Sequence, residues 1–427
     1  ASAQTDLLLR LAQKPAEGLI GSFIYKAGLF KQATIERMAR DYLKVLETIS
    51  SPPDMRIDEL DIVSEEEGEK SIMDAEKKLS TAFSQFKRVQ LRPVHLQQER
   101  LIQTSYLSAK EQLPLIIRPQ GVELDLIEWA KSNRTFLESE LRKYGALLFR
   151  DFSVSSPTEF EQFALALCPD LYTENGEHVP ADVGSGNLYT PVFYAPEKKL
   201  LWHNENSFNS TWPMKIWFFC TQVASKGGET PIADSRSVFE SIDPRIREQF
   251  MQKGIMYIRN YRDRLGLSWQ KVFRTEKKEE VERYCQAAAI DFEWKGEDHL
   301  RTRLIRPAVL KHPQTGDWVW WNQATHWHPA CLDKEVRTSL LTLFSEEDLP
   351  RNCFYGDGSP IEEATMAAIC EAYQEAEVSF PWKLGDILML DNMLTAHARN
   401  PYEGSRKIYV SMGGMCTLKD LSVPDFR

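Results

Sequence analysis

The chain has 427 residues, and a formal charge of −10 without a cluster of basic residues argues against nucleic-acid binding. Its composition, 42% hydrophobic and 27% charged, is that of a globular protein. No apolar run is long enough to cross a membrane. Asp6 and Arg10 interrupt the first apolar stretch, so no signal peptide is predicted. Seven cysteines without a CxxC pair predict free thiols in a reducing compartment, the cytoplasm.

The first 65 residues predict a small α/β fragment. Residues 19–25 alternate between apolar and polar positions like a strand, and residues 33–50 carry apolar side chains at helical spacing. The helix is expected to end at Ser50, because the segment Ser51-Pro52-Pro53 follows. A charged, helix-forming stretch over 66–94 is expected to be a linker helix.

Residues 95–427 mix short strands with a few helices. A helix is predicted over 126–144, and a buried strand is predicted to follow it. Further strands are predicted over 216–222, 318–321, 387–390 and 407–412. Many short strands separated by Gly and Pro predict a mainly β, α+β fold, a double-stranded β-helix (jelly roll) core with α-helical insertions. The Gly-rich, acidic stretch 174–186 is expected to be a mobile lid.

One short segment carries the residue types of a metal site. His203 and Glu205 stand two apart, so on an extended segment both would point to the same side. Two His and one carboxylate on one side of a metal suit non-haem iron(II). With 8 His and 62 acidic residues in the chain, however, about one such pair is expected by chance, so the pair alone is weak evidence.

Two distal segments strengthen the metal hypothesis. A Gly385-Asp386 turn precedes an apolar strand that leads to His397, and Arg406 follows nine residues later. The planar fork of Arg406 is suited to hold a carboxylate through two hydrogen bonds. Thr230, in a Gly-Gly-Glu-Thr-Pro segment 27 residues after His203, could hydrogen-bond the same carboxylate.

Together these motifs resemble the TauD/TfdA family of iron(II)/2-oxoglutarate dioxygenases. The segments LWHNENSF, KIWFFC, GGETPIADSR and DNMLTAHARNPYEG resemble its SyrP-like branch, which is associated with nonribosomal peptide biosynthesis. The resemblance covers residues 95–427. It implies that His203, Glu205 and His397 bind Fe(II), that Thr230 and Arg406 hold 2-oxoglutarate, and that O2 is the other co-substrate.

The sequence departs from the family pattern at two positions. Many relatives carry Asp where Glu205 stands, and some carry a second Arg where this chain has Val410, which leaves Arg406 without that helper. Related halogenases lack the carboxylate and place a halide there. The presence of Glu205 therefore favours hydroxylation, or another oxidation such as desaturation, over halogenation.

Other polar residues are weaker candidates. Asn187 and Tyr189 could line the substrate site, with a strand edge as the alternative. Arg399 could bind a substrate carboxylate, or form an ordinary surface salt bridge. His326 and His328 have no acidic neighbour in sequence and are expected to be pocket or core residues rather than ligands.

Residues 1–65 resemble the carboxy-terminal tail of a condensation domain of a nonribosomal peptide synthetase, without its catalytic His motif. Either the chain is a piece of a larger synthetase, or the tail is a docking element. The resemblance implies an aminoacyl or peptidyl substrate on a carrier protein, with neighbouring synthetase domains as further partners. There are two alternative functions. The protein could oxidise a free amino acid, or it could be a catalytically silent interaction module.

Overall fold

A computed structural model describes residues 6–14, 18–49, 101–108, 112–121, 124–173, 179–180, 186–191, 194–262, 268–296 and 298–421. The chain forms two compact units, Ala1–Val94 and His95–Arg427. The predicted linker helix over 66–94 and most of the predicted lid over 174–186 lie outside the described residues. Within the described ranges, no helix is both long and apolar enough to cross a membrane.

The first unit contains a β-hairpin and a helix. Strand β1 (Leu7–Lys14) pairs antiparallel with β2 (Gly18–Tyr25), and helix α1 (Gln32–Ile49) follows. The sequence patterns predict β2 and α1 but miss β1. Leu7, Leu8 and Leu9 form an unbroken apolar run, so the alternation of apolar and polar residues that marks a half-buried strand is absent there.

The second unit carries most of the strands. In chain order they are β3 (Ile102–Ser105), β4 (Leu115–Pro119), β5 (Ala146–Phe149), β6 (Val179–Pro180), β7 (Tyr189–Thr190), β8 (Leu200–His203), β9 (Thr211–Gln222), β10 (Lys226–Gly227), β11 (Ile232–Asp234), β12 (Ile255–Tyr261), β13 (Asp291–Trp294), β14 (Leu300–Arg306), β15 (Val309–Lys311), β16 (Trp318–Trp320), β17 (Arg351–Tyr355), β18 (Glu377–Val378), β19 (Ile387–Asp391), β20 (Thr395–Arg399), β21 (Tyr402–Glu403) and β22 (Lys407–Thr417).

Helices are inserted between these strands. They are α2 (Leu126–Ser132), α3 (Arg134–Tyr144), α4 (Pro157–Leu167), α5 (Ser235–Ser241), α6 (Pro244–Lys253), α7 (Trp269–Phe273), α8 (Lys278–Ala287), α9 (Ala324–Trp327), α10 (Lys334–Leu343) and α11 (Glu363–Ala376). The sequence predicts one helix over 126–144, but the structure has two, α2 and α3, which are divided at Asn133. The Asn133 side chain donates to the carbonyl of Trp129 (2.8 Å), which ends α2 one residue before α3 begins.

Two sheets face each other and form the jelly roll. The larger has the strand order β3-β4-β5-β19-β9-β22-β7-β6, and the smaller has the order β18-β11-β20-β8. Phe218 of β9 in the larger sheet meets His397 of β20 in the smaller, with 5.1 Å between ring centroids. The double-stranded β-helix fold with helical insertions is therefore confirmed. A further sheet, β13-β14-β12-β17, is an insertion.

Strand β19 lies at the centre of the larger sheet. It pairs antiparallel with β5 on one side and with β9 on the other, so Ile387 has Phe149 and Phe219 as neighbours. All five residues of β19 are buried. A strand covered on both faces gains from apolar side chains at every position, which explains the unbroken apolar run in the sequence.

A buried ion pair secures the start of β19. Arg150, directly after β5, donates to both carboxylate oxygens of Asp386 (Nε to Oδ1 3.0 Å, Nη2 to Oδ2 2.6 Å), and the two side chains are 7% and 1% exposed. Arg150 Nη2 also donates to the carbonyl of Pro381 (2.9 Å), and the amide of Lys383 donates to Asp386 (2.7 Å). The pair therefore fixes the turn before β19 at two points.

We expect Arg150→Met to lower the free energy of unfolding by about 3–5 kcal/mol, because it leaves the buried carboxylate of Asp386 without a counter-ion. Lys226→Met is the control, since Lys226 and Glu403 form an ion pair whose side chains are 77% and 69% exposed. Its loss should cost less than about 1 kcal/mol. Urea denaturation measures both. Similar losses in the two variants would contradict a special role for the buried pair.

Candidate metal centre

His203, Glu205 and His397 converge between the two sheets. His203 is the last residue of β8 and pairs with His397 of β20, and the two imidazole centroids are 4.2 Å apart. One potential ligand atom from each of the three side chains lies within 4.8 Å of the other two. All three residues are at most 9% exposed. Two imidazoles and one carboxylate on one side of a shared point are the donor set that suits non-haem iron(II).

The imidazole of His203 is oriented by a backbone carbonyl. Its Nδ1 lies 3.0 Å from the carbonyl oxygen of Leu201, which can only accept, so Nδ1 carries the hydrogen. In the neutral ring, Nε2 is then the nitrogen with a free lone pair, and it faces Glu205, 4.0 Å from its Oε2. An unprotonated Nε2 is the form that binds a metal, and the hydrogen bond at the other nitrogen sets the ring orientation.

A third imidazole supports this arrangement. His326 Nε2 lies 2.7 Å from the same Leu201 carbonyl, and its ring centroid is 4.5 Å from that of His203. Burial, together with the neighbouring His203, lowers the pKa of His326 to about 3, so the ring is neutral at physiological pH. The cluster of potential ligand atoms found in the described residues does not include His326.

Glu205 is placed by a buried amide rather than by a strand. The sequence predicts His203 and Glu205 on one extended segment, but β8 ends at His203 and Glu205 lies in the turn that follows. Both side chains nevertheless point to the same side, as expected. The side chain of Asn392 accepts from the amide of Glu205 (2.7 Å) and donates to its carbonyl (2.9 Å) and to the carbonyl of Pro213 (2.8 Å). Asn392 is fully buried and so ties the turn to β9.

Thr230 and Arg406 lie side by side next to β20. Thr230 precedes β11, whose Ile232 pairs with His397. Arg406 Nη2 donates to Thr230 Oγ1 (3.1 Å), and its Nε donates to the carbonyl of Gly228 (2.7 Å). The structure thus brings together two side chains that are 176 positions apart in the sequence.

The loop before Thr230 requires glycine. Gly228 has φ +77°, and a Cβ there would lie 3.0 Å from Arg406 Cδ and 3.1 Å from the side chains of Ala224 and Tyr402. At Gly227, with φ +66°, a Cβ would lie 2.2 Å from the carbonyl oxygen of Pro401. Both the positive φ and the close approach exclude larger residues. The Gly-Gly pair therefore lets Arg406 reach Thr230.

The guanidinium of Arg406 is a partly buried cation. Within the described part of the chain, no carboxylate comes within 4.0 Å of it, and its hydrogen bonds go to a carbonyl and a hydroxyl. Burial, helped by the nearby charge of Arg399, lowers the pKa of Arg406 to about 10, so it is still protonated at neutral pH. Because a buried charge is costly without a partner, this position is suited to an anionic ligand.

Comparison with known proteins identifies the family. A family model described as "Taurine catabolism dioxygenase TauD, TfdA family" matches residues 109–412. The chain belongs to the TauD/TfdA family. Members use Fe(II), 2-oxoglutarate and O2, so the protein is a non-haem iron dioxygenase, and the predicted cofactors and enzyme class are confirmed.

Individual proteins are also similar to this chain. The dapdiamide synthesis protein DdaC of Enterobacter agglomerans is 40% identical over 276 residues, which cover 65% of this chain and 84% of DdaC. A linear gramicidin synthase polypeptide of Brevibacillus parabrevis is 27% identical over 149 residues, 34% of this chain and 3% of that protein. The solved structure of PvcB from Pseudomonas aeruginosa is 14% identical, with a TM-score of 0.46 over 74% of this chain and 92% of PvcB.

The three substrate candidates contact other parts of this TauD/TfdA domain. Arg399 donates to the carbonyls of Tyr194 (3.0 Å), Ala195 and Lys198 (both 2.6 Å) and so holds the loop before β8. Asn187 donates to Glu161 (3.0 Å). Tyr189 is fully buried, and its hydroxyl donates to the carbonyl of Tyr172 (2.7 Å). These contacts are structural, and a role in substrate binding stays a prediction for all three.

We expect Asn392→Ala to weaken metal binding by roughly 10- to 100-fold, because the turn that carries Glu205 loses its attachment to β9. Anaerobic titration with Fe(II) or Mn(II) measures the dissociation constant. Asn352→Ala is the matched control: Asn352 is 2% exposed and bonds Glu346 and Cys353 in and beside the inserted sheet. It should lose stability but keep its metal affinity. Wild-type metal affinity in folded Asn392→Ala would refute the role of Asn392.

Proposed function

We propose that the protein hydroxylates an aminoacyl or peptidyl group carried as a thioester on a carrier protein, in the biosynthesis of a nonribosomal or hybrid peptide product. In this proposal His203, Glu205 and His397 hold Fe(II), and Thr230 and Arg406 hold 2-oxoglutarate. The observation that carries the dioxygenase chemistry is the convergence of three metal-ligand side chains, with the partly buried cation of Arg406 hydrogen-bonded to Thr230 near the same strand.

The metal ligands would leave one side of the ion open. Three protein donors from β8, the turn after it and β20 approach from the protein side. Positions on the other side are then available for a bidentate co-substrate and for O2. Bound iron supplies the power to oxidise an unactivated C–H bond, while this chain's residues fix the reactants and exclude solvent. Glu205 occupies the position of the halide in related halogenases, which favours hydroxylation.

Arg406 and Thr230 would recognise the far carboxylate of 2-oxoglutarate. The guanidinium of Arg406 is aligned by the Gly228 carbonyl, and a protonated Arg beside a hydroxyl gives a carboxylate charge-assisted hydrogen bonds. Tyr402 lies over Arg406, with 5.8 Å between the guanidinium carbon and the ring centroid, and forms one wall. A dicarboxylate would place a carboxylate in hydrogen-bonding contact with Arg406, whose printed partners are a carbonyl and a hydroxyl.

We expect Arg406→Gln to weaken 2-oxoglutarate binding by roughly 30-fold or more, because the partly buried cation is lost. Arg406→Lys should restore only part of the affinity, since Lys cannot bond Gly228 and the ligand with one planar fork. Calorimetry with the Mn(II)-loaded protein measures binding without turnover. The control Arg303→Gln removes an Arg of the inserted sheet, which bonds Glu293, and should bind normally. Unchanged binding in Arg406→Gln would refute the assignment.

The carrier-bound substrate is inferred from relatives and from the amino-terminal segment. DdaC is named for dapdiamide synthesis, and the gramicidin synthase match is to part of a peptide synthetase. Residues 1–65 resemble a condensation-domain tail, which would place the dioxygenase beside synthetase domains. All seven cysteines are free, in keeping with the reducing environment of the cytoplasm, where we expect the reaction to occur.

We expect kcat/KM to be at least about tenfold higher for an aminoacyl thioester on a carrier protein than for the same free amino acid, since the protein surface would add binding energy. A panel of loaded carriers and free amino acids, assayed for succinate and for a gain of one oxygen, tests this. Efficient turnover of only the free forms would overturn the tethered model. A silent module would give no succinate and, with Fe(II) and 2-oxoglutarate under anaerobic conditions, no visible absorption band.

A further inference from the structure

The indole of Trp382 makes an unusual hydrogen bond. Its Nε1 lies 3.2 Å from Thr230 Oγ1, and the residue is 6% exposed. Hydrogen-bond partners are not the rule for buried indoles in this protein. Within the described residues, six other buried tryptophans have an Nε1 without one: Trp129, Trp202, Trp212, Trp217, Trp269 and Trp320. Burial alone therefore does not give an indole N–H a partner in this protein, and the hydrogen bond between Trp382 and Thr230 is specific to that position.

Counting donors and acceptors fixes the direction of the Thr230 hydroxyl. A threonine hydroxyl has one hydrogen to donate and two lone pairs that accept. The indole N–H of Trp382 and the guanidinium N–H of Arg406 can only donate, and both point at Thr230 Oγ1. They occupy both lone pairs, so the hydroxyl hydrogen must point in the remaining direction. A group placed there has to be an acceptor.

The position of Trp382 is itself fixed. Its ring packs edge-on against Phe380, with centroids 5.9 Å apart. The residues on either side are tied to the buried ion pair: the carbonyl of Pro381 accepts from Arg150, and the amide of Lys383 donates to Asp386. Both neighbours of Trp382 are thus anchored, at 2.9 Å and 2.7 Å, and the indole has little freedom to turn away from Thr230.

We propose that Trp382 is a positioning residue that locks the Thr230 hydroxyl as a hydrogen-bond donor toward the carboxylate of 2-oxoglutarate. This rests on the proposed co-substrate site. Without the indole, one lone pair of Thr230 is released and the hydroxyl can rotate, so part of its interaction with an acceptor is lost. An ionised carboxylate accepts hydrogen bonds and cannot donate them. The pocket with a rotating hydroxyl would therefore favour a carboxylate over a hydrogen-bond donor less strongly.

The test is Trp382→Phe, which keeps an aromatic ring and removes the N–H. We expect a roughly three- to tenfold weaker affinity for 2-oxoglutarate in the Mn(II)-loaded protein, measured by calorimetry, with unchanged Mn(II) affinity. In turnover, KM for 2-oxoglutarate should rise while kcat changes little. Trp320→Phe is the matched control, because Trp320 is fully buried and its N–H has no partner in the described structure. It should bind 2-oxoglutarate normally.

A double-mutant cycle with Thr230→Val separates orientation from packing. If Trp382 acts through the hydroxyl, Trp382→Phe should add no further loss once Thr230 is Val. An equal loss in both backgrounds would overturn the inference, as would normal affinity in Trp382→Phe alongside weak affinity in Thr230→Val. Normal affinity in Thr230→Val and Arg406→Gln would instead refute the proposed co-substrate site.

A second measurement follows the indole N–H of Trp382 itself, so it can be made even if Trp382→Phe does not fold. The chain has 11 tryptophans, each of which gives one indole N–H signal in a nitrogen–proton NMR spectrum. Thr230→Val should move one of these signals upfield in the proton dimension, because its hydrogen bond is lost. If none of the signals moves, Trp382 does not donate to Thr230 in solution, and the inference fails.

Discussion

The position of β20 between β8 and β11 is the constraint on which the site depends. Its pairing with β8 sets His397 opposite His203, and its pairing with β11 sets the same residue opposite Ile232, two positions after Thr230. One strand thereby fixes the spacing of two imidazoles and their distance from Thr230. Because a register shift by one residue would turn His397 to the other face, the register of β20 also determines the metal geometry.

Hydrogen bonds outside the strand pairing orient the other metal-ligand residues. The amide of Asn392 holds the turn that carries Glu205, and the Leu201 carbonyl selects the protonation form of His203. None of these groups needs to touch a reactant. They belong to the set of outer contacts that orient ligands, and they explain why this region has several buried polar residues in an otherwise apolar interior.

Local patterns in the sequence are enough to predict the fold class and to single out the three side chains that converge in the structure, His203, Glu205 and His397. The apolar run of β19 and the order of His397 and Arg406 are both visible without a structure. The division of a helix at Asn133 is not predictable in this way, because it depends on one side chain bonding the backbone. Strand β1 is not predicted because it opens with three consecutive leucines, which lack the alternation of a half-buried strand.

Long-range contacts are the other information that the sequence lacks. Asn392 and Trp382 are visible there only as letters of a motif, because their partners lie 187 and 152 positions away. Likewise, Asp386 marks a turn in the sequence, but its buried bond to Arg150 spans 236 positions. No periodicity or spacing rule relates such pairs, whereas the folded chain brings them within hydrogen-bonding distance.

The buried pair of Arg150 and Asp386 has one more consequence, which concerns local opening of the structure. The amide of Lys383 donates to Asp386, so its hydrogen can exchange with solvent only when the turn around Trp382 opens. A ligand that binds only the closed turn divides the ratio of open to closed form by one plus the ligand concentration over its dissociation constant. Slow amide exchange at a residue that never meets the co-substrate would then report how fully the co-substrate site is occupied.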